Sequence, residues 1–411
     1  MAFPLPLALQ AFAMSYTVLA RKYRPQAFEE MTGQEHVVRT IENAITLDRV
    51  AHAYLFAGPR GVGKTTAARL LARALNCEKG PTAHPCGVCR ACTEIRDGTS
   101  VDVAEIDGAS NNGVENVREI RENAKYLPQR DRYKIYIIDE VHMLSGAAFN
   151  ALLKTLEEPP GHVKFIFATT EAHKLPDTIL SRCQRHNFRR ISAAAMLGRL
   201  KDIASKEGIT VSDSSLSVLV RQSEGGMRDA LSLLDQVIAA CGLTPTDEQV
   251  AEALGAIDRM VIHACAQALL TRDAKTLLVR TEELFNRGVD MKKLAEELAL
   301  HLRHVFVAKV TGNAPDELAD ADRQAVTALA RDADAAQIAR LFDVVHTSVW
   351  DINRAPQPRL ALEMALLKGM HLAPAAAIPE LIARVEKLAA GQGAPAAGAP
   401  GGRSAPAPFR A

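Results

Sequence analysis

A glycine-rich loop that ends in a lysine and a threonine is the strongest chemical signal in the sequence. Gly58-Pro59-Arg60-Gly61-Val62-Gly63-Lys64-Thr65 is a complete Walker A pattern between an apolar run and a helix-favouring run. Glycines let the backbone curl so that its N–H groups point at phosphates, and the following helix adds its positive end. Lys64 is expected to reach the β- and γ-phosphates of ATP, and Thr65 to ligate Mg²⁺.

Two adjacent carboxylates follow a second apolar run, Lys134-Ile-Tyr-Ile-Ile-Asp139-Glu140. This is the Walker B arrangement, expected at the carboxyl edge of a parallel sheet. Asp139 would hold Mg²⁺, and Glu140 would orient and polarise the attacking water. Taken alone, two acids after a strand indicate a solvated strand end. Combined with the loop, they predict an ATP-hydrolysing site.

Four cysteines form a separate candidate metal site just after the Walker A helix. Cys77, Cys86, Cys89 and Cys92 have the spacing C-x8-C-x2-C-x2-C. Four thiolates favour a closed, structural Zn²⁺ site, with backbone N–H groups of the knuckle turns around it. The alternatives are an iron-sulfur cluster and a reduced, metal-free loop. His84 is not expected to be a ligand, because four thiolates complete the shell.

The elements that must position these residues alternate between strand-like and helical patterns. Short apolar runs typical of strands buried on both faces cover His52–Ala57, Val101–Ile106, Lys134–Ile138 and Val163–Ala168. Amphipathic helical patterns separate them, which predicts a parallel sheet with helices on both faces. From Ile191 onward the patterns are helical, short up to about residue 255 and longer from 256 to 372.

Composition narrows the class of protein. The chain has 411 residues, 24% of them charged, and a net charge of +1, so a uniformly basic DNA-coating protein is disfavoured. No apolar run is long enough for a bilayer, and a cytoplasmic protein without membrane contact is expected. Residues 1–13 are interpreted as an extension before Met14 rather than a signal peptide. Residues 373–411 are rich in Pro, Ala and Gly and are expected to form a flexible tail.

Longer motifs resemble the bacterial clamp-loader ATPases, the gamma/tau family of DNA polymerase III. The similar segments are LARKYRPQAFEEMTGQEHV, DEVHMLSGAAFNALLKTLEEPP, HVKFIFATTEAHKLPDTILSRCQRHNF, GGMRDALSLLDQ and PRLALEMALLK, and the resemblance covers about Met14 to Leu372. It implies an α/β AAA+ domain with a P-loop and parallel sheet over residues 14–190, carrying the zinc insertion at about 77–92. A helical lid over 191–255 and an all-α collar domain for oligomerisation over 256–372 would follow. Gamma/tau proteins also carry the four-cysteine module.

The resemblance also assigns three residues that the spacing alone does not. Thr170 would sense the γ-phosphate, although a strand cap is a close alternative. Arg182, in Ser-Arg-Cys, would be an arginine finger that reaches a neighbouring subunit's ATP, with a surface arginine as the alternative. Arg228 would be the second sensor on the lid, unless it forms an ordinary surface pair with Asp229. The segment Tyr16 to Pro25 resembles the adenine-side wall.

The function that this resemblance implies is ATP-driven loading of the sliding clamp onto primed DNA during replication. The implied partners are the other clamp-loader subunits, copies of the chain itself, the sliding clamp and primer-template DNA, at the nucleoid or replisome. Polymerase core and helicase would be contacted through C-terminal regions absent or truncated here. Such an ATP hydrolase would act within the DNA-directed DNA polymerase holoenzyme, a nucleotidyltransferase. The alternatives are a non-hydrolysing clamp-loader scaffold and another AAA+ DNA motor, such as a branch-migration ATPase.

The segment from Gly113 to Lys125 is a candidate DNA contact. Its pattern predicts a helix with an apolar face and, on another face, Arg118, Arg121 and Lys125. Those cations could follow a phosphate backbone. Interspersed glutamates make a solvated, salt-bridged helix an equal alternative.

Overall fold

The computed structural model describes residues 17–315, 318, 320–371, 382 and 386. The predicted extension over residues 1–13 lies outside the described residues, as does nearly all of the predicted tail over 373–411. The chain divides into two compact units between Ala256 and Ile257. No described helix is long and apolar enough to cross a bilayer.

A five-stranded, all-parallel sheet forms the centre of the first unit, with the strand order β2-β3-β4-β1-β5. The strands are β1 Ala53–Ala57, β2 Val103–Asp107, β3 Lys134–Asp139, β4 Val163–Thr169 and β5 Gln184–Asn187. β1 and β4 are buried along their whole length, and the inner four residues of β3 are buried too. This is the continuous apolar pattern that a parallel sheet covered on both faces requires.

Helices cover both faces of this sheet and continue after it. The helices of the first unit are α1 Leu19–Lys22, α2 Glu35–Thr46, α3 Lys64–Asn76, α4 Arg90–Asp97, α5 Val114–Ala124, α6 Gly146–Glu157, α7 Asp177–Leu180, α8 Ala193–Glu207, α9 Asp213–Gln222, α10 Met227–Cys241 and α11 Asp247–Ala253. One core contains α2 and α3, and the opposite core contains α5 and α6. Helices α8 to α11 share a separate core. The predicted P-loop domain with a helical lid is therefore confirmed.

The start of the described chain packs with the lid helices rather than with the sheet. Leu19 is buried in the core of α8 to α11, and its N–H donates to Asp235 Oδ2 at 2.8 Å. Lys22 forms an ion pair with Glu207 at 2.6 Å, at the end of α8. Residues that precede the sheet in sequence thus pack with the lid that follows it.

The second unit is all helical, as predicted for the region after the lid. Its helices are α12 Arg259–Thr271, α13 Ala274–Asn286, α14 Met291–Thr311, α15 Asp320–Asp332, α16 Ala335–Arg354 and α17 Pro358–His371. A core of Leu, Ala, Ile and Val side chains joins α12, α13, α14, α16 and α17. Apolar residues recurring at helical spacing on each helix account for this packing.

Candidate functional site

The glycine-rich loop lies between β1 and α3, at the carboxyl edge of the sheet. Gly61 and Gly63 adopt φ values of 75° and 102°, which favour glycine. A Cβ at Gly61 would lie 2.7 Å from Asp229 Oδ2 and 3.1 Å from Gly226 Cα, so the loop packs closely against the lid here. The chain therefore turns sharply before α3, and the helix N-terminus faces the loop. This is the geometry that suits phosphate binding.

Lys64 lies at the start of α3 with only 6% of its surface exposed. Its ammonium group donates to the carbonyl oxygens of Gly58 at 2.9 Å and Pro59 at 2.8 Å. Burial lowers its pKa, an effect that the nearby carboxylates of Glu140 and Asp139 oppose. The carbonyl groups of Gly58 and Pro59 thus fix the position of the ammonium group, which lies near the carboxylates of Glu140 and Asp139.

The predicted magnesium ligands are in direct contact. Thr65 Oγ1 donates to Asp139 Oδ2 at 2.6 Å, and the other carboxylate oxygen of Asp139 accepts the N–H of Glu140 at 2.9 Å. A hydroxyl and a carboxylate supply the hard oxygen donors that Mg²⁺ prefers. The two side chains therefore fit the ion that an ATP site requires.

Glu140 is held in an unusual backbone conformation at the end of β3. Its φ and ψ are both 45°, in the left-handed region that costs a non-glycine residue energy. Its Oε2 accepts the N–H of Thr170 at 3.3 Å and the hydroxyl of Thr170 at 3.1 Å. Thr170 follows β4 and therefore supports the glutamate from the neighbouring strand. His142, which we did not predict, lies 3.4 Å from the same oxygen and 3.1 Å from Glu171.

The lid closes one side of this site. Arg228, in the first turn of α10, donates its backbone N–H to Gly61 O at 3.3 Å. The Arg60 and Asp229 side chains approach each other to 3.9 Å across the same contact. The lid thus touches the glycine-rich loop itself, and Arg228 lies beside that loop.

Nine of the predicted site residues border one cavity of about 350 Å³, and Thr170 is not among them. Predicted residues that line it are Arg60, Gly61, Val62, Gly63, Lys64, Thr65, Asp139, Glu140 and Arg228. Tyr23, Arg24 and Pro25 form part of its wall, in the segment predicted to lie beside adenine. Arg199 of α8 also lines it and was not predicted. Its spacing of four residues from Ile203, another lining residue, is the helical signal that was available in the sequence.

Arg182 lies away from this cavity, just after α7. Its guanidinium donates to Thr178 O at 2.7 Å and pairs with Glu157 at 2.7 Å. About 31% of its side chain is exposed. The arginine is thus outside the site of its own chain, on a surface that another molecule can reach.

The four cysteines come together, and none of them forms a disulfide. The Sγ atoms of Cys77, Cys86, Cys89 and Cys92 all lie within 4.8 Å of one another. Sulfur atoms at the corners of a zinc tetrahedron are about 3.8 Å apart, so the cluster is close to the required size. The N–H of Cys86 points at Cys77 Sγ at 3.4 Å, and that of Cys89 at Cys86 Sγ at 3.3 Å.

The thiols of this cluster have unequal surroundings. Backbone N–H groups of Cys89 and Val88 lower the pKa of Cys86 to about 6, whereas burial raises that of Cys92 to about 12. His84 is paired with Glu29 at 2.6 Å and is not in the cluster. Across the part of the chain that the structure describes, no other group of three or more potential ligands is gathered in this way.

The candidate DNA-contacting helix has the two predicted faces. Val117, Ile120 and Ala124 are buried on α5. Its cations are paired with glutamates of the same helix: Arg118 with Glu115, and both Arg121 and Lys125 with Glu122. This is the salt-bridged arrangement that the sequence offered as the alternative to a DNA contact.

Family models match three successive parts of the chain. Residues 33–192 match "DNA polymerase III, delta subunit", and residues 196–243 match "DNA polymerase III clamp loader subunit, ATPase lid domain". Residues 246–385 match "DNA polymerase III subunits gamma and tau domain III". The chain is 42% identical over 378 residues to the DNA polymerase III subunit tau of Bacillus subtilis, covering 91% of this chain and 67% of that protein.

This chain belongs to the gamma/tau family of DNA polymerase III subunits. The subunit tau of Escherichia coli is 41% identical over 367 residues, which cover 89% of this chain. The chain spans 57% of the length of that gamma/tau relative. Among solved structures, the Thermotoga maritima RuvB Holliday junction branch migration motor is 18% identical, covers 60% of this chain and 79% of its own, and gives a TM-score of 0.43.

Proposed function

We propose that this gamma/tau chain is the ATP-hydrolysing subunit that drives loading of a sliding clamp onto primed DNA. The observation that carries the proposal is the convergence of Lys64, Thr65, Asp139, Glu140 and Arg228 on one cavity. A protein that uses the fold only for assembly has no need for this set of charges. The partners would be companion clamp-loader subunits and further copies of the chain, the clamp and primer-template DNA. Polymerase core and helicase would be contacted elsewhere.

The chemistry follows from the positions of the side chains. Lys64 and the N–H groups of the loop would bind the β- and γ-phosphates. Thr65 and Asp139 would hold Mg²⁺, which neutralises charge on the phosphate oxygens when bound. Glu140 would orient the attacking water, and its contact with Thr170 would link water positioning to the γ-phosphate. Arg228 would join the lid to the same phosphate.

Reconstitution tests this function against its two rivals. The chain is combined with companion subunits, clamp and primed DNA, and both ATP hydrolysis and clamp retention on circular DNA are measured. The proposal expects hydrolysis that clamp and primed DNA stimulate together, and retained clamp. A scaffold would give no hydrolysis from this chain, whereas a branch-migration motor would hydrolyse ATP without any dependence on the clamp.

Arg182 is proposed to act on the ATP of a neighbouring subunit. Arg182→Ala should lower stimulated hydrolysis in the assembly by about 10³-fold or more, because an arginine finger stabilises charge that develops only in the transition state. ATP binding by the isolated chain should not change. Arg185→Ala is the matched control, since Arg185 is an exposed arginine nearby whose side chain donates to Asn187 of its own strand.

Mixing two inactive variants distinguishes this role from a structural one. The Lys64→Ala chain still has Arg182, and the Arg182→Ala chain still has an intact ATP site. Where the two chains are neighbours, the Lys64→Ala chain can supply its arginine to that site. Mixed assemblies should therefore regain part of the stimulated hydrolysis. Loss of ATP binding in isolated Arg182→Ala would contradict action in trans.

The cysteine cluster is proposed to hold one Zn²⁺ in a structural role. Cys89→Ser should remove the metal and lower the melting temperature, because a missing thiolate opens the shell that ties the loop to α3 and α4. For a unit of this size each kcal/mol lost lowers the melting temperature by about 2–4 °C. Metal analysis and thermal unfolding measure the two effects. Cys241→Ser, outside the cluster, is the control and should change neither; iron in place of zinc would overturn the assignment.

A further inference from the structure

The cysteine module, residues 77–92, meets the wall of the cavity partly through a buried arginine. Arg73 lies on α3, one turn before Cys77, and only 4% of its surface is exposed. Its Nη1 donates to the backbone oxygen of Gln26 at 3.0 Å and to the side-chain Oε1 of Gln26 at 3.1 Å. A Cβ built at Gly87, between Cys86 and Cys89, would lie 3.4 Å from Nη2 of the same guanidinium. One planar group thus bonds to the wall segment and lies beside a cysteine knuckle.

Gln26 in turn organises the residues that form the wall. Its side-chain Nε2 donates to Arg24 O at 2.9 Å, and its N–H donates to Glu30 Oε2 at 2.7 Å. Arg24, Pro25 and Glu30 all line the cavity. Because the anchor of Gln26 is Arg73, the position of this wall depends on a residue of the Walker A helix.

Two further contacts join the module to the same structures. His84, two residues before Cys86, pairs with Glu29 at 2.6 Å, next to the lining residue Glu30. The N–H of Thr82 donates to Ala74 O at 3.0 Å, which seats the loop on α3 beside Arg73. The module therefore meets the 24–30 segment both directly and through Arg73.

We propose that Arg73 is a positioning residue that couples the cysteine module to nucleotide affinity by holding the 24–30 wall through Gln26. The inference rests on the proposed ATP site. An ordered module keeps the guanidinium in place, and the guanidinium keeps Gln26 in place. Loss of the module's metal would loosen the wall without touching any phosphate-binding group. Its effect should therefore appear in the Kd and KM for ATP, with kcat little changed.

Variants of the full chain test this coupling. Arg73→Met removes the donors and keeps an apolar stem of similar length. Gln26→Ala removes one of the two acceptors, the side-chain Oε1, and leaves the backbone oxygen, with little risk to folding because Gln26 is exposed. Each should raise the Kd for ATP about fivefold to tenfold, the usual effect of losing a hydrogen bond to a charged group. Arg73→Lys keeps one donor for Gln26 and should restore most of the affinity. Arg96→Ala, which breaks the exposed pair with Asp97, is the control.

Metal content separates positioning from general damage. The variants should keep the wild-type metal content and secondary structure, and removal of metal from wild type by a chelator should raise the Kd for ATP. The same treatment of Arg73→Met should add little, because the link is already broken. Unchanged Kd in folded Gln26→Ala and Arg73→Met would overturn the inference while leaving the ATP site intact. Failure of wild type itself to bind ATP would instead overturn the proposed function.

Discussion

Glu140→Gln should reduce ATP hydrolysis by about 10²- to 10⁴-fold while the chain still binds ATP, since glutamine cannot polarise the attacking water. The carboxylate lies at the end of β3 and borders the cavity, with Thr170 on one of its oxygens. Glutamine preserves the size of the side chain and can still accept those bonds. Single-turnover hydrolysis in the reconstituted assembly, together with equilibrium ATP binding, measures the two effects separately.

Glu171→Gln is the matched control for this experiment. Glu171 is a nearby carboxylate that contacts His142 and Lys174 but does not line the cavity. Its replacement should leave most of the hydrolysis rate. If Glu140→Gln hydrolysed ATP at the wild-type rate, Glu140 would not be the residue that polarises the attacking water. The proposed ATP-binding site would not be affected by that result.

Lys64→Ala should weaken ATP binding itself. The buried ammonium group lies at the loop that would receive the phosphates. Removing such a charge from a buried ionic contact costs roughly 3 kcal/mol, about a hundredfold in Kd. Hydrolysis and ATP-dependent clamp loading should fall with it. Titration calorimetry with ATP and with ADP measures the loss, which should be larger for ATP because of the γ-phosphate.

Lys201→Ala controls for the general loss of a positive charge. Lys201 is an exposed lysine of α8 that pairs with Asp213. Its removal should change neither binding nor hydrolysis. Wild-type ATP affinity in a folded Lys64→Ala protein would contradict the phosphate role of the lysine.

Much of the fold was predictable because the sequences of its central strands are continuous apolar runs. β1, β3 and β4 begin and end within a residue of the predicted bounds. β5 was missed because its sequence, Gln184–Asn187, is polar, and only His186 is buried. β5 is an edge strand that pairs with β1. It is not buried on both faces, so its sequence does not need to be apolar. β2, at the other edge, begins two residues later than predicted and is only partly buried.

The site was predictable where a local motif carries the chemistry. The glycine-rich loop and the two carboxylates each depend on neighbours in sequence, so their contacts followed once the strands were adjacent. His142 and Arg199 enter the site from two different elements, and no short motif in the sequence indicates that they do. The link between Arg73 and Gln26 joins positions that lie 47 residues apart. Only the packing of α3 against the preceding segment brings that pair together.

Contacts between the lid and the glycine-rich loop could not be predicted from the sequence alone. Arg228 was predicted from its resemblance to a lid arginine, but its contact with Gly61 depends on the packing of α10 against the loop. The role of Arg182 depends on a neighbouring subunit and stays a prediction. The same is true of a DNA contact by α5, whose cations are paired within the helix.

The proposed function requires that the cavity between loop and lid holds a nucleoside triphosphate. Equilibrium dialysis of the full chain with labelled ATP and Mg²⁺, alone and with its companion subunits, tests that claim most directly. Saturable binding of about one ATP for each chain, displaced by unlabelled ATP, is the predicted result. Absence of saturable binding in folded protein that has its companions present would contradict it.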